Sequence, residues 1–378
     1  MKRPLIFLMC ALPLTICLLL SCGKDQILIG FAGQLTGVYS DLGVQARNGA
    51  NLAVEEINAR GGIAGRQLRM IVKDDRNSPE TARQVDQELI EKGVVAIIGH
   101  MTSSQSMAAL PVANKAEVVL LSPTTSTPRL SGQKDMFFRV NGSTSLAAQA
   151  LGTFARHNLK LNRVNTIRDT DNQAYSLPYH NNFTHSLQKE KGEVVRACTF
   201  SSGQQKNWSK TVNCLSGGNP DGILVIASAM DTAALVQELV AQGKDWTIIS
   251  SGWAATRSLL VHGGKAVEGL FLARTGVAEK QTQAYRDFDR NYRERFGRPS
   301  SFAAEKGYQA VKFLARALEK TGGTSKGLPA ALTQVQGFQS LYGPLSINRY
   351  GDALLPVTVV KVVNGAFKQV SRIQVKEQ

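Results

Sequence analysis

Val94-Val95-Ala96-Ile97-Ile98-Gly99-His100-Met101-Thr102-Ser103-Ser104 and Val118-Val119-Leu120-Leu121-Ser122-Pro123-Thr124-Thr125-Ser126-Thr127-Pro128 are the two stretches whose reading decides the fold of this chain. In each, an apolar, β-branched run without alternation reads as a strand buried on both faces, as a parallel sheet covered by helices requires. Each run ends in a Ser/Thr cluster, at the point where a helix is expected to begin. The hydroxyls of Ser103, Thr124, Thr125 and Ser126 then fall at the carboxyl ends of two successive strands, where open α/β sheets bind ligands. Hydroxyls and free backbone N–H groups at a helix start suit a carboxylate or another anion. Ser and Thr also cap helices without binding anything, and a single cluster reads most simply that way. Two clusters at consecutive strand ends favour a shared small-molecule site.

Outward from these stretches the rhythm is strand, Gly/Ser turn, helix. Upstream, residues 26–32 read as a strand and 42–60 as a helix with Ala46, Ala50, Ala53, Val54 and Ile57 on one face, stopped by Gly61-Gly62. A strand at 68–72, a turn over 74–79 with Ser78 as N-cap, a helix at 81–91 and a strand at 94–98 follow. Downstream, a second series comprises helices 143–158, 174–190 and 231–242 and strands 163–168, 193–200, 222–227, 246–251 and 270–273. Two long helices, 280–296 and 302–320, precede a hairpin of 355–363 and 366–370 across Asn364-Gly365. Such alternation specifies an α/β fold with parallel sheets built from crossovers. No linker or short repeat marks a clean boundary, which two sheets sharing interrupted chain segments would explain.

The N-terminus reads as an export signal. Lys2 and Arg3 precede an almost wholly apolar run over 5–20, and the segment ends Leu19-Leu20-Ser21-Cys22-Gly23. That ending resembles the bacterial lipobox, which assigns 1–21 to a signal peptide, 22–26 to a lipidated linker and Cys22 to lipid attachment. A plain signal peptide or an uncleaved anchor is the alternative. The expected product is an exported lipoprotein, periplasmic or at the cell surface, anchored to a membrane through its N-terminal lipid. Cys198 and Cys214 are then the cysteines left to the folded part; they form one disulfide or remain buried thiols. No Cys or His lies beside them at metal-ligand spacing, and His180 and His185, five apart, do not share a helix face. No metal or cofactor is expected. The formal net charge of +15 over 378 residues comes from scattered Lys and Arg, without the basic blocks that bind nucleic acid.

From Ile27 onward the chain resembles the periplasmic leucine/isoleucine/valine-binding proteins of ABC transporters, which are class I periplasmic binding proteins. The resemblance is carried by Leu35-Thr36-Gly37, by Gly49-Ala50-Asn51-Leu52-Ala53 with Ile57-Asn58-Ala59-Arg60-Gly61-Gly62, by Lys73-Asp74-Asp75, by the two Ser/Thr stretches and by Tyr342-Gly343-Pro344-Leu345, in that order. It implies two Rossmann-like lobes, 27–141 with 275–345 and 142–274 with 346–378, joined by three crossover segments around a ligand cleft that closes by a hinge. It also implies that Ser103, Thr124 and Ser126 hold a ligand carboxylate, and that Tyr175 closes over the ligand from the second lobe. Thr125 shares that loop.

The chain departs from the branched-chain amino-acid binders where they face the ligand ammonium with a carboxylate: here the turn reads Ser250-Ser251-Gly252-Trp253-Ala254. An aromatic residue expected after Ile226-Ala227-Ser228 is replaced by Ala229. Asp231 is a substitute acid for the ammonium or an N-cap of helix 231–242, and Trp253 stacks on a ligand side chain or packs within its lobe. Three function classes follow. The first is a solute-binding protein handing an amino acid or related small carboxylate to the membrane subunits of an ABC permease. The second is a ligand-sensing receptor on the same fold. The third, a hydrolase using Ser103, lacks a Gly-x-Ser-x-Gly elbow and a base tied to the nucleophile, so the chain is not expected to be an enzyme.

Overall fold

A computed structural model describes residues 26–37, 39–276 and 282–373. The signal segment and Cys22 lie outside the described residues. The chain opens with β1 (Ile27–Gly33), α1 (Ser40–Ala59), β2 (Leu68–Asp74), α2 (Pro79–Glu91), β3 (Ala96–Ile98), α3 (Ser103–Ala116), β4 (Val119–Ser122) and β5 (Phe137–Arg139). These strands form one parallel sheet in the order β2-β1-β3-β4-β5. Successive strand residues point to opposite faces, and both faces are buried. Ile27, Ile29, Phe31, Ala96, Ile98, Val119 and Leu121 join the core under α1, whereas Ala32, Ile97 and Leu120 join the core under α2 and α3. That double burial is why the runs read as continuously apolar.

The chain then crosses into a second sheet. Its first part comprises α4 (Thr144–His157), β6 (Arg163–Asp169), α5 (Gln173–Lys189), β7 (Glu193–Phe200), α6 (Trp208–Leu215), β8 (Gly222–Ile226), α7 (Ala229–Ala241), β9 (Thr247–Ser251), α8 (Arg257–Gly263) and β10 (Phe271–Thr275). It returns to the first lobe for α9 (Gln283–Phe296), α10 (Phe302–Thr321), α11 (Leu328–Thr333) and the small antiparallel pair β11 (Phe338–Ser340) and β12 (Gly343–Leu345). The hairpin β13 (Val357–Val363) and β14 (Ala366–Ile373) completes a seven-stranded sheet of order β14-β13-β10-β9-β8-β6-β7. Cys198 on β7 and Cys214 on α6 are joined in a disulfide with Cα atoms 6.5 Å apart.

Helices α1 and α10 cross almost backbone to backbone. A Cβ on Gly49 would sit 1.9 Å from the Ala304 carbonyl oxygen, and one on Gly307 would sit 2.1 Å from that of Ala46. The alanine face read from the sequence is therefore a helix-crossing face.

Two sequence expectations shift. The chain over 346–355 belongs to the first lobe and not the second: Ile347 and Ala353 join its core, Gly351 O accepts from Arg139 N at 3.0 Å, and Asp352 pairs with the buried Arg139 at 2.6 Å. The second Ser/Thr cluster does not start an α-helix; only a single 3-10 turn, Pro128–Leu130, follows it, with Thr127 as N-cap. Pro128 fits the first position of such a turn, and the next strand is reached seven residues later. Where the chain passes between lobes, the three passages hydrogen-bond to one another. Thr275 Oγ1 donates to Asn141 Oδ1 at 2.7 Å, and Gly276 N to Pro356 O at 2.7 Å.

Candidate functional site

The hydroxyl residues after β3 and β4 divide by the direction they face. Thr102 precedes α3 as its N-cap, yet its hydroxyl donates to the Gln105 side chain and caps no backbone N–H. Ser103, the first residue of α3, is buried and its hydroxyl has no hydrogen-bond partner among the described residues. Neither is acting as a helix cap. Thr125 turns inward: its Oγ1 donates to His100 O at 3.2 Å and lies 2.7 Å from Ser106 Oγ. Thr124 Oγ1 donates to Met101 O at 2.5 Å, which leaves that oxygen as an acceptor toward the cleft. Ser126 is tied across the cleft through its carbonyl, which accepts from Thr144 N at the start of α4 at 2.7 Å.

The opposite wall is aromatic. Tyr175, near the start of α5, meets Trp253 edge to face at 5.5 Å and stacks on Tyr179 at 5.7 Å. Trp253 sits on the 3-10 turn Gly252–Ala254 after β9 and also contacts Tyr39 at 5.2 Å. Burial raises the Tyr175 phenol well above its ordinary value, so it stays protonated.

Ser103, Thr124 and Ser126 from one lobe, and Tyr175 and Trp253 from the other, line one cavity of about 290 Å³. Asn141, Thr275, Gly276 and Pro356 from the interlobe passages also line it. Its size lies at the lower end of small-molecule sites, roughly 300–1,000 Å³.

A profile described as periplasmic binding protein matches residues 26–366. The chain belongs to the periplasmic binding protein family. A leucine-, isoleucine-, valine-, threonine- and alanine-binding protein of Pseudomonas aeruginosa is 22% identical over 333 residues, 88% of each chain. A leucine-binding protein of Thermotoga maritima superposes with a TM-score of 0.85 at 25% identity, over 92% of this chain and 99% of that one. An ABC-transporter solute-binding protein of R. palustris, solved with benzoate, gives 0.85 at 18% identity, over 94% and 98%. The two-lobed class I periplasmic binding protein fold is thus common to the chain and these structures.

Two residues singled out in the sequence are not on the cavity of this periplasmic binding protein. Thr125 points into the first lobe, as described above. Asp231 is neither N-cap nor on the wall of this interlobe cavity. Ser228 caps α7, while Asp231 in the first turn accepts from Ser202 Oγ at 2.6 Å and Ser228 Oγ at 2.8 Å and pairs with Lys206 at 3.0 Å. Its charge is already matched, so it does not replace the acid missing after β9. That absence has a steric reason. A Cβ on Gly252 would meet the Ala273 carbonyl oxygen at 2.8 Å and Arg274 Cβ at 2.9 Å, so an acidic side chain there would have to displace β10.

Sequence reasoning missed the charged part of the wall. Glu305 and Lys306 on α10, Arg274 on β10 and Arg372 on β14 line the cavity, as does Tyr342, whose hydroxyl donates to Glu305. The available signal was a Glu-Lys pair amid Ala303, Ala304, Gly307 and Ala310, a helix face too small and apolar to be solvated. Among the described residues, no group of His, Cys, Asp and Glu is arranged to hold a metal ion.

Proposed function

We propose that this chain is the solute-binding component of an ABC transporter, exported and held at a membrane by a lipid on Cys22. It captures an amino acid or a related small carboxylate between its lobes by hinge closure and presents it to the permease subunits. The observation that carries this reading is the Ser103 hydroxyl, buried, without a partner among the described residues and on the wall of the interlobe cavity. An unmatched buried hydroxyl costs free energy that a ligand oxygen would recover. Ser103 and Ser126 are the donors to a carboxylate in this reading, and Thr124 Oγ1, its proton given to Met101 O, is an acceptor for an N–H or O–H of the ligand. The names of the relatives, with amino acids and benzoate as ligands, support the same class.

The test is calorimetric titration of wild type and Ser103→Ala with L-leucine and benzoate, alongside thermal melts. A hydrogen bond to a charged group contributes about 1.5–3 kcal/mol, so Ser103→Ala should weaken the tighter of the two ligands about ten- to hundredfold with little change in melting temperature. Unchanged affinity with a lowered melting temperature rejects the site. Radiolabelled fatty acid that enters wild type but not Cys22→Ala would establish the anchor.

A further inference from the structure

Lys306 is a buried ammonium with almost nothing to neutralise it. It is 7% exposed, lines the cavity, and makes one hydrogen bond among the described residues, to Val140 O at 2.9 Å. An ammonium carries three donors, so two are left toward the cavity. The charged residues on the cavity wall are Arg274, Lys306 and Arg372 against a single acid, Glu305. Glu305 already accepts from Tyr342, and its charge and that of Arg274 both act on Lys306. Lys306 is the buried one of these cations, with Arg274 half-buried and Arg372 exposed, and a buried ammonium on a cavity wall selects an anionic oxygen.

The missing acid at Gly252 points the same way. With no room for a side chain there and with Asp231 engaged by Lys206, neither position gives an α-ammonium a counter-charge. The apolar part of the wall, Tyr175, Trp253 and Phe302, suits a flat or aliphatic body between two polar ends.

We propose that Lys306 marks a second oxyanion subsite, so that the ligand lacks an α-ammonium and carries, besides the carboxylate at the Ser103 end, a second acidic or phenolic oxygen. This inference rests on the carboxylate reading of the Ser103 end. Arg274 and Arg372 share the wall and add to the field that the second oxygen meets, while Glu305, hydrogen-bonded by Tyr342, offsets part of the positive charge.

A pH signature follows. Burial first, and then the Arg274 charge, push the free Lys306 ammonium down to about 7, against a smaller upward pull from Glu305. An anion beside it favours the charged form, so binding takes up a proton near and above neutrality. Affinity for a ligand whose second group is a carboxylate should fall as pH rises from 6.5 to 9.

The experiment titrates the purified mature chain with matched acids: benzoate against 4-hydroxybenzoate and terephthalate, hexanoate against adipate, and L-leucine as the ammonium-bearing comparison. In at least one pair the acid with the second oxygen should bind ten-fold or more tightly than its partner. Lys306→Met should abolish that advantage and its pH dependence while changing the simple acid's affinity less than about threefold. Equal affinities within all three pairs overturn the proposal, as does an advantage that survives Lys306→Met or tighter binding of L-leucine than of every other acid. The Ser103→Ala arm separates the two readings. If it weakens the simple acids and Lys306→Met changes nothing, only the second subsite fails; if Ser103→Ala changes nothing, the carboxylate end fails.

Discussion

His100 lies just beyond β3 with Nδ1 2.7 Å from Asp75 and Nε2 3.1 Å from Asp86, all three fully buried. Burial pulls its pKa down, but the Asp86 charge and the hydrogen bonds to both carboxylates outweigh that and push it up to about 10. Both ring nitrogens are therefore donors, so His100 cannot serve Ser103 as a base; its role is to fasten β3 to the turn after β2 and to α2. A histidine raised from 6.5 to about 10 stabilises the fold fully below pH 6.5, and that contribution is lost as pH climbs through 10. Lys306 acts in the opposite sense, since its depressed value makes the fold more stable as pH rises above about 7. The wild-type curve mixes the two, and the difference between wild type and His100→Ala isolates the first. Removing one partner of a buried pair costs about 3–5 kcal/mol, so urea unfolding should show a gap of that order at pH 6.5 that narrows toward pH 10. A gap independent of pH in that window would mean that His100 is neutral in the fold.

At the scale of elements, the contact between α1 and α10 brings the Glu305-Lys306 pair to the cavity. Gly49 and Gly307 allow it, because each faces a backbone carbonyl at a distance no Cβ tolerates. Gly307→Ala gains about 1 kcal/mol of helix propensity, yet the helices must separate to admit the methyl group. Overpacking of this kind costs about 1–3 kcal/mol, and here the obstacle is backbone, which yields least. The variant should melt below wild type and bind more weakly, since α10 carries Lys306 away from Val140. A melting temperature at or above that of wild type would show that the crossing relaxes freely. Arg139 plays a similar part for the hydroxyl loop: Nη1 donates to Thr127 O at 2.9 Å and Nη2 to Ser131 Oγ at 2.5 Å, while the guanidinium pairs with Asp352.

Over the whole molecule, the lobes meet across the cavity through few polar contacts. Tyr39, from the loop after β1, donates its hydroxyl to Asp169 at the end of β6. Ser104 N and Oγ lie 3.2 and 3.3 Å from Asn172 Oδ1, and Ala174 N donates to Ser104 Oγ at 3.4 Å. In the hinge reading these contacts belong to the closed form and are made after the ligand has entered. Tyr39→Phe keeps the ring against Trp253 and removes the hydroxyl that bonds Asp169; combined with Asn172→Ala it should raise the ligand off-rate about tenfold or more and leave the on-rate nearly unchanged. Stopped-flow fluorescence gives both constants. A fall in the on-rate with an unaltered off-rate would mean that the lobes meet before the ligand binds.

Apart from the helix expected after the second Ser/Thr cluster, the sequence by itself determined the order of the main strands and helices, because double burial writes continuous apolar runs and a helix buried on one side writes a 3.6-residue pattern. It also placed hydroxyls at two strand ends and left Cys198 and Cys214 as the natural pair within the folded part. Only the tertiary structure decided which of those hydroxyls face the cavity. Thr124, Thr125 and Ser126 are consecutive, and their directions depend on the His100 and Met101 carbonyls of the neighbouring strand end and on Thr144 of the other lobe. It likewise turned Asp231 toward Ser202 and Lys206, and brought Lys306 beside Val140, 166 residues away in the chain. Local periodicity records whether a position is buried. What a buried polar group meets is set by chain segments far away in sequence, because a charge removed from water is held by whichever partner the packing delivers.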